Sequence, residues 1–233
     1  MLMGKPRDVQ ESLFPDIVPA RPQGWIMPSV FRGTNAELMA AVAPMYLTGS
    51  VLDVTYGDGK WWEKFQPDPF TAHDLHKLDG VDFRALPEPD ASVDTVCLDP
   101  PYIISGGPST ARLGPDFQHR YGIGQDNLAV ALRCTTEGTA SLEALIGDGV
   151  TEACRVARRW LLVKCMEFSQ GSHVPPANSF HDIPHLVTCR AIDAGWFKHD
   201  QIVHYTGSGP GGHNIFEAKR ARRHHSYLIV FTK

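Results

Sequence analysis

The sequence predicts an α/β fold, a mostly parallel sheet with helices on both faces, and three observations carry that expectation. Short apolar segments recur at residues 51–54, 70–74, 81–83 and 93–98, and strands joined by short crossovers assemble parallel sheets. Each segment ends in or beside an acid, at Asp53, Asp74, Asp82 and Asp99, at the carboxyl edge where open α/β sheets hold ligands. The first runs into a turn containing Gly57 and Gly59, the kind of turn that lets backbone approach a ligand closely.

The elements follow in order. Residues 1–30 carry five prolines and little periodicity, which reads as an irregular N-terminal arm ahead of one domain over residues 31–233. Thr34 or Asn35 caps a helix with the apolar stripe Leu38, Met39, Ala41, Val42 and Met45, ending by Leu47 before Gly49. After the four acid-terminated strands, a helix over 141–158 places Leu142, Leu145, Ile146, Val150 and Ala153 at helical spacing. A buried strand over 160–166, a helix over 184–194 stopped by Gly195, and strands over 201–205 and 227–232 complete a seven-stranded sheet.

Composition bounds the chemistry. With 233 residues and 42% hydrophobic content, the chain is long enough for one well-buried core. Its formal charge of -4 gives no global attraction to nucleic acid, so such contacts must come from local basic patches. Cys97, Cys134, Cys154, Cys165 and Cys189 are odd in number and lack Cys-x-x-Cys spacing, so reduced thiols are expected rather than disulfides or zinc. His73 and His76 straddle a strand end, and Pro184 interrupts His181 and His185, so no metal site is expected. No run approaches about eighteen apolar residues, and no signal-peptide pattern opens the chain, so a cytoplasmic protein without a membrane partner is expected.

The chemistry concentrates in Asp99-Pro100-Pro101-Tyr102. Asp99 offers a carboxylate acceptor, and successive prolines fix φ and present the Pro100 carbonyl rigidly as a second acceptor. Tyr102 offers a flat ring on which a planar base stacks. An ordinary strand-ending turn uses the same residue types, so the order of the motifs decides: glycine turn, acid, acid plus aromatic, then this tetrapeptide.

In that order the chain resembles class I S-adenosylmethionine-dependent amino-methyltransferases of the Asp-Pro-Pro-Tyr type, most like those that methylate adenine N6 or cytosine N4 in DNA. The resemblance covers about residue 34 to the C-terminus and implies a Rossmann-like seven-stranded sheet with an antiparallel last strand. It implies S-adenosylmethionine as cofactor, with Asp53, Thr55, Gly57 and Gly59 around its methionine part. Asp74 would take the ribose hydroxyls, and Asp82 and Phe83 the adenine. Asp99, Pro100, Pro101 and Tyr102 would hold the target amine. Val54 departs from the proline that many DNA members carry after the aspartate.

DNA, with adenine N6 as target, is the expected substrate, because cytosine amine methylases more often begin the motif with Ser. A duplex base must be flipped, so flanking nucleic acid needs a binding surface. Two loops offer one: residues 103–125 with Arg112 and Arg120, and residues 207–225 with Lys219, Arg220, Arg222 and Arg223, which could pair with phosphates. Only about forty residues separate the two motifs and no second domain follows, which leaves little room for reading a long site; a homodimer or a partner would supply further specificity. RNA guanine-N2 methyltransferases share the pattern and are the enzymatic alternative. A noncatalytic nucleic-acid-binding subunit is the other, opposed by the intact Asp99 and Gly57-x-Gly59.

Overall fold

Strands β4 (Val93–Leu98), β5 (Ala157–Cys165) and β9 (His225–Thr232) are rich in apolar residues on both faces, as central strands covered on both sides must be. They lie at the centre of a seven-stranded sheet in the computed structural model, which describes residues 27–100, 136–169, 180–205 and 224–233. The order across the sheet is β1 (Val30–Arg32), β8 (Phe197–Tyr205), β9, β5, β4, β2 (Val51–Asp53) and β3 (Phe70–Ala72). Every neighbouring pair is parallel except the two made by β9. The sheet is therefore the expected one, with the last strand alone running against the rest. Strands β6 (Phe168–Ser169) and β7 (Phe180–His181) form a separate ribbon, where His181 stacks on Phe168.

Side-chain alternation divides the core in two. Val96, Leu98, Leu161, Val163, Ile229 and Phe231 point to the face covered by α2 (Thr136–Val156) and α3 (Ile183–Asp193). Cys97, Trp160, Leu162, Leu228 and Val230 point to the other, covered by α1 (Asn35–Tyr46) and a 3-10 turn, Lys60–Trp62. Helix α1 begins where its cap predicts: the Glu37 N–H donates to Thr34 Oγ1 and the Thr34 N–H to Glu37 Oε2, a reciprocal pair that satisfies two donors. Among the described residues, no helix is long and apolar enough to cross a membrane.

Three expectations are corrected. Residues 81–83 form no strand, because the Asp82 carboxylate accepts from the Arg84 backbone N–H and guanidinium, closing a local turn that competes with ladder pairing. The seventh strand is instead β1 at the opposite edge, where Val30 pairs with Val203, so the stretch read as an irregular arm reaches the sheet. Helix α2 stops at Val156, not Arg158, since Ala157 already pairs with Val93 in the sheet.

The connection order creates the site. From β2 the chain passes to β3 on one side, then returns across β2 to β4 on the other, so the path reverses between β2 and β4. Their carboxyl ends open a crevice at that switch point, the usual ligand position in open α/β sheets.

Candidate functional site

Two acids stand at the switch point, Asp53 buried and Asp99 half-buried with its Oδ1 inside. Asp53 closes β2 and pairs in register with Cys97, two residues before Asp99. The segments are tied directly: the Asp99 N–H donates to Thr55 Oγ1 at 2.7 Å, and the Val54 N–H to the Cys97 carbonyl at 3.1 Å. The glycine turn is thereby fixed against the start of the tetrapeptide.

Asp53 is 3% exposed, and both its oxygens are engaged, Oδ1 by the Thr55 N–H at 2.9 Å and Oδ2 by the Trp62 indole N–H at 2.6 Å. Burial pushes its carboxyl up to about 7, against those two bonds, with the charges of Asp99 and Asp74 adding to the rise. Asp99 differs in one respect: its buried Oδ1 has no hydrogen-bond partner among the described residues. Burial raises this carboxyl to about 6, opposed by the Lys164 ammonium and, more weakly, by the Trp61 indole N–H. That indole N–H faces Asp99 without completing a hydrogen bond to any described residue. Adjacent tryptophans thus face the two acids, a pairing the sequence reading missed although Trp61-Trp62 directly follows the glycine turn.

The turn itself needs its glycines. Gly57 has φ 56 and Gly59 has φ 70, a region that penalises side chains. A Cβ on Gly59 would come within 2.6 Å of the Tyr56 hydroxyl, whereas one on Gly57 would meet nothing closer than 3.9 Å. Among the described residues, a side chain at Gly57 would meet only the Thr55 carbonyl, at van der Waals distance. Asp74 accepts from the Gly57 N–H at 2.8 Å through Oδ2 and from the His76 and Lys77 N–H groups through Oδ1. With three of its roughly four lone-pair sites used, it shapes the turn and retains capacity for about one further donor.

Asp82 and Phe83, the other expected cofactor residues, have partners of their own. Asp82 is bound by Arg84, whose side-chain bonds hold its carboxyl below the usual range. The Phe83 ring packs on α2, where a Cβ on Gly149 would fall 2.2 Å from it. Pro100 is buried at the end of β4. Pro101, Tyr102, Arg112, Arg120, Lys219, Arg220, Arg222 and Arg223 lie outside the described residues, as do most of the loops over 103–125 and 207–225.

His73 is spent on carboxylates, with Nδ1 on Asp79 at 2.5 Å and Nε2 on Glu88 at 2.7 Å. Burial opposes its charged form, but the bonds to Glu88 and Asp79 overcome it and raise the imidazole above its ordinary value of 6.5. A raised histidine contributes stability that is complete below 6.5 and is lost as pH rises through the folded value. His73→Gln is therefore expected to reduce the melting temperature at pH 5.5, below the ordinary histidine value, more than in alkaline solution. Thermal melts of both proteins across that range would expose the error if their difference stayed constant.

Two further buried polar groups extend the row across the sheet on the α1 face. Lys164, on β5, is 6% exposed and donates to Asn35 Oδ1 at the start of α1. His204, on β8, is fully buried, and its Nε2–H donates to the Gly33 carbonyl at 2.8 Å. Burial, then the Lys164 charge, pushes His204 down to about 4, so it is neutral at pH 7. Lys164 interrupts the apolar face Trp160, Leu162 at the strand's i+4 position, a signal the sequence contained.

No family model and no curated protein matches the chain. Among solved structures it is similar to a Thermus thermophilus protein provisionally named a DNA modification methylase, in complex with S-adenosyl-L-methionine. The two share 13% identity over 65% of this chain and 51% of that chain, with a TM-score of 0.40, so the chain spans about half of that protein's length. It is also similar to a SAM-dependent methyltransferase from Aquifex aeolicus, at 14% identity over 86% of this chain and 90% of that chain, TM-score 0.40. A third, a SAM-dependent methyltransferase from Methanosarcina mazei, shares 11% identity over 79% of this chain and 92% of that chain, TM-score 0.38. At these identities and scores the likenesses describe the neighbours, and the topology above rests on this chain's own strand pairings.

Proposed function

We propose that the chain transfers a methyl group from S-adenosylmethionine to the exocyclic amine of a nucleobase in DNA, with adenine N6 as the target. The observation that supports this reading most is Asp99 Oδ1, a buried acceptor without a donor among the described residues, at the end of β4 beside the glycine turn of β2. Leaving a buried oxygen unmatched costs about 1–3 kcal/mol, which suits an oxygen reserved for a ligand's N–H. A base amine carries two such hydrogens, and the second is proposed to go to the Pro100 carbonyl.

The cofactor assignment fits the residues present. Among the described residues a Cβ on Gly57 meets nothing closer than 3.9 Å, and the acids Asp53 and Asp74 adjoin the turn, where a cationic amino group would be favoured. Such a cofactor supplies a methyl group activated by a sulfonium leaving group. What the chain must provide is alignment. Asp99 and the Pro100 carbonyl localise the amine lone pair by hydrogen bonding. With that cofactor bound, the localised pair would be aligned toward its methyl group, and the Asp99 carboxylate would accept the proton that the amine gives up. Tyr102 is assigned to stacking on the base, and Arg112, Arg120, Lys219, Arg220, Arg222 and Arg223 to phosphate contacts, with a partner or second copy adding specificity.

Incubation with labelled S-adenosylmethionine and separate pools of unmethylated DNA, transfer RNA, ribosomal RNA and protein tests the reading. Label is expected in DNA, recovered as N6-methyladenine on nucleoside analysis. Label confined to RNA would move the substrate to an RNA amine. Cofactor binding without transfer to any pool would favour a noncatalytic nucleic-acid-binding subunit.

A further inference from the structure

Lys164 has no role in the chemistry proposed above, yet it follows β5 to the same sheet edge as Asp99. The pairing of Leu98 with Val163 carries β4 and β5 forward side by side, so the next residues, Asp99 and Lys164, are neighbours at the carboxyl edge. Both belong to the α1 face: Asp99 follows Cys97 by two residues, and Lys164 follows Leu162 by two. The ammonium is almost wholly buried and donates to Asn35 Oδ1, and Asn35 is the first residue of α1, directly after the Thr34 cap. A buried ammonium needs compensating partners, and among the described carboxylates Asp99 is the one whose charge acts on it.

We propose that Lys164 is a positioning residue, anchored by Asn35, that holds Asp99 as an aimed carboxylate with Oδ1 left for the target amine. This rests on the methyltransferase reading of Asp99. The groups that face the pair from the surrounding elements are Asp53 from β2, Trp61 from the 3-10 turn, Cys165 from β5 and His204 from β8. Of these only Asp53 can carry negative charge; its carboxyl, raised to about 7, is only part-ionised at neutral pH, and the two carboxylates disfavour each other's ionisation. Trp61 favours the Asp99 carboxylate but carries no charge. Cys165 is held as a thiol by burial, and His204 is neutral. Lys164 is therefore the cation, among the described groups facing Asp99, that favours its ionised form.

The proposal is tested with Lys164→Met, which keeps the buried stem and removes the charge, and with Lys164→Arg and Asn35→Ala. Asp99 titration is followed by carbon NMR of aspartate-labelled protein, assigned with Asp99→Asn, and methyl transfer is followed from pH 5 to pH 9. In Lys164→Met, Asp99 is expected to titrate at least about one pH unit higher, and the acid limb of transfer to move with it. Transfer near pH 9 should then recover most of the wild-type rate. Lys164→Arg should restore the limb in part, and Asn35→Ala should shift it in the same direction by less. A uniform loss at every pH, with the Asp99 titration unmoved, would reduce Lys164 to a packing role and overturn the proposal. Wild-type protein that transfers no methyl group would sink the methyltransferase reading instead, and the NMR titration would still decide whether Lys164 controls Asp99. Should Lys164→Met fail to fold, the Asn35→Ala titration carries the same decision.

Discussion

Asp99→Ala is expected to reduce methyl transfer by a factor on the order of 10²–10³, the usual effect of deleting one preorganised hydrogen-bonding group at a reacting centre. Cofactor affinity should change little, because the Asp99 contact to the glycine turn runs through its backbone N–H to Thr55 Oγ1, which the substitution retains. Asp99→Asn should fall almost as far: it keeps the volume but loses the negative charge that the buried Lys164 faces. Single-turnover rates beside calorimetric cofactor titrations separate the two effects. Parallel loss of transfer and cofactor binding would make Asp99 a structural residue. The acceptor is the carboxylate, and its carboxyl sits at about 6, so wild-type transfer should decline as pH falls through that value.

Gly57→Val is expected to weaken cofactor binding by about tenfold or more while leaving the sheet intact. With φ 56, the position is left-handed, which costs roughly 1–2 kcal/mol for an ordinary side chain and more for a β-branched one. The new side chain would also project from the turn proposed to hold the cofactor, and any shift of the backbone would loosen the Gly57 N–H bond to Asp74. Isothermal titration with S-adenosylmethionine checks the affinity, and a melting curve checks the fold. Undiminished affinity would remove the glycine turn from the cofactor assignment.

Much of the architecture was legible because it rests on local chemistry. The Thr34 and Glu37 box sets the start of α1, and Asp182, accepting the His185 N–H, does the same for α3. Apolar runs too short for helices placed β2, β4, β5 and β9 within a residue or a few of where they form. Less was legible at the sheet edges. A three-residue strand such as β1 is defined by pairing with β8, more than 170 residues away, and its own composition carries almost no signal. Residues 81–83 had the apolar character of a strand, yet the Asp82 side chain satisfied the backbone locally.

By itself the sequence determined the order of acids and glycines along the chain and the parallel α/β sheet that brings them to one edge, because both follow from periodicity, caps and turn residues. Only the tertiary structure decided what each acid is free to do. Asp53 and Asp74 carry carboxylates as Asp99 does, but the Trp62 indole and the turn's own N–H groups engage the first two, while Asp99 has a buried oxygen that no described residue engages, near a buried lysine. The reason is physical: a side chain's chemistry is written in its type, but its remaining hydrogen-bonding capacity and its charge depend on neighbours brought from β5, α1 and the 3-10 turn.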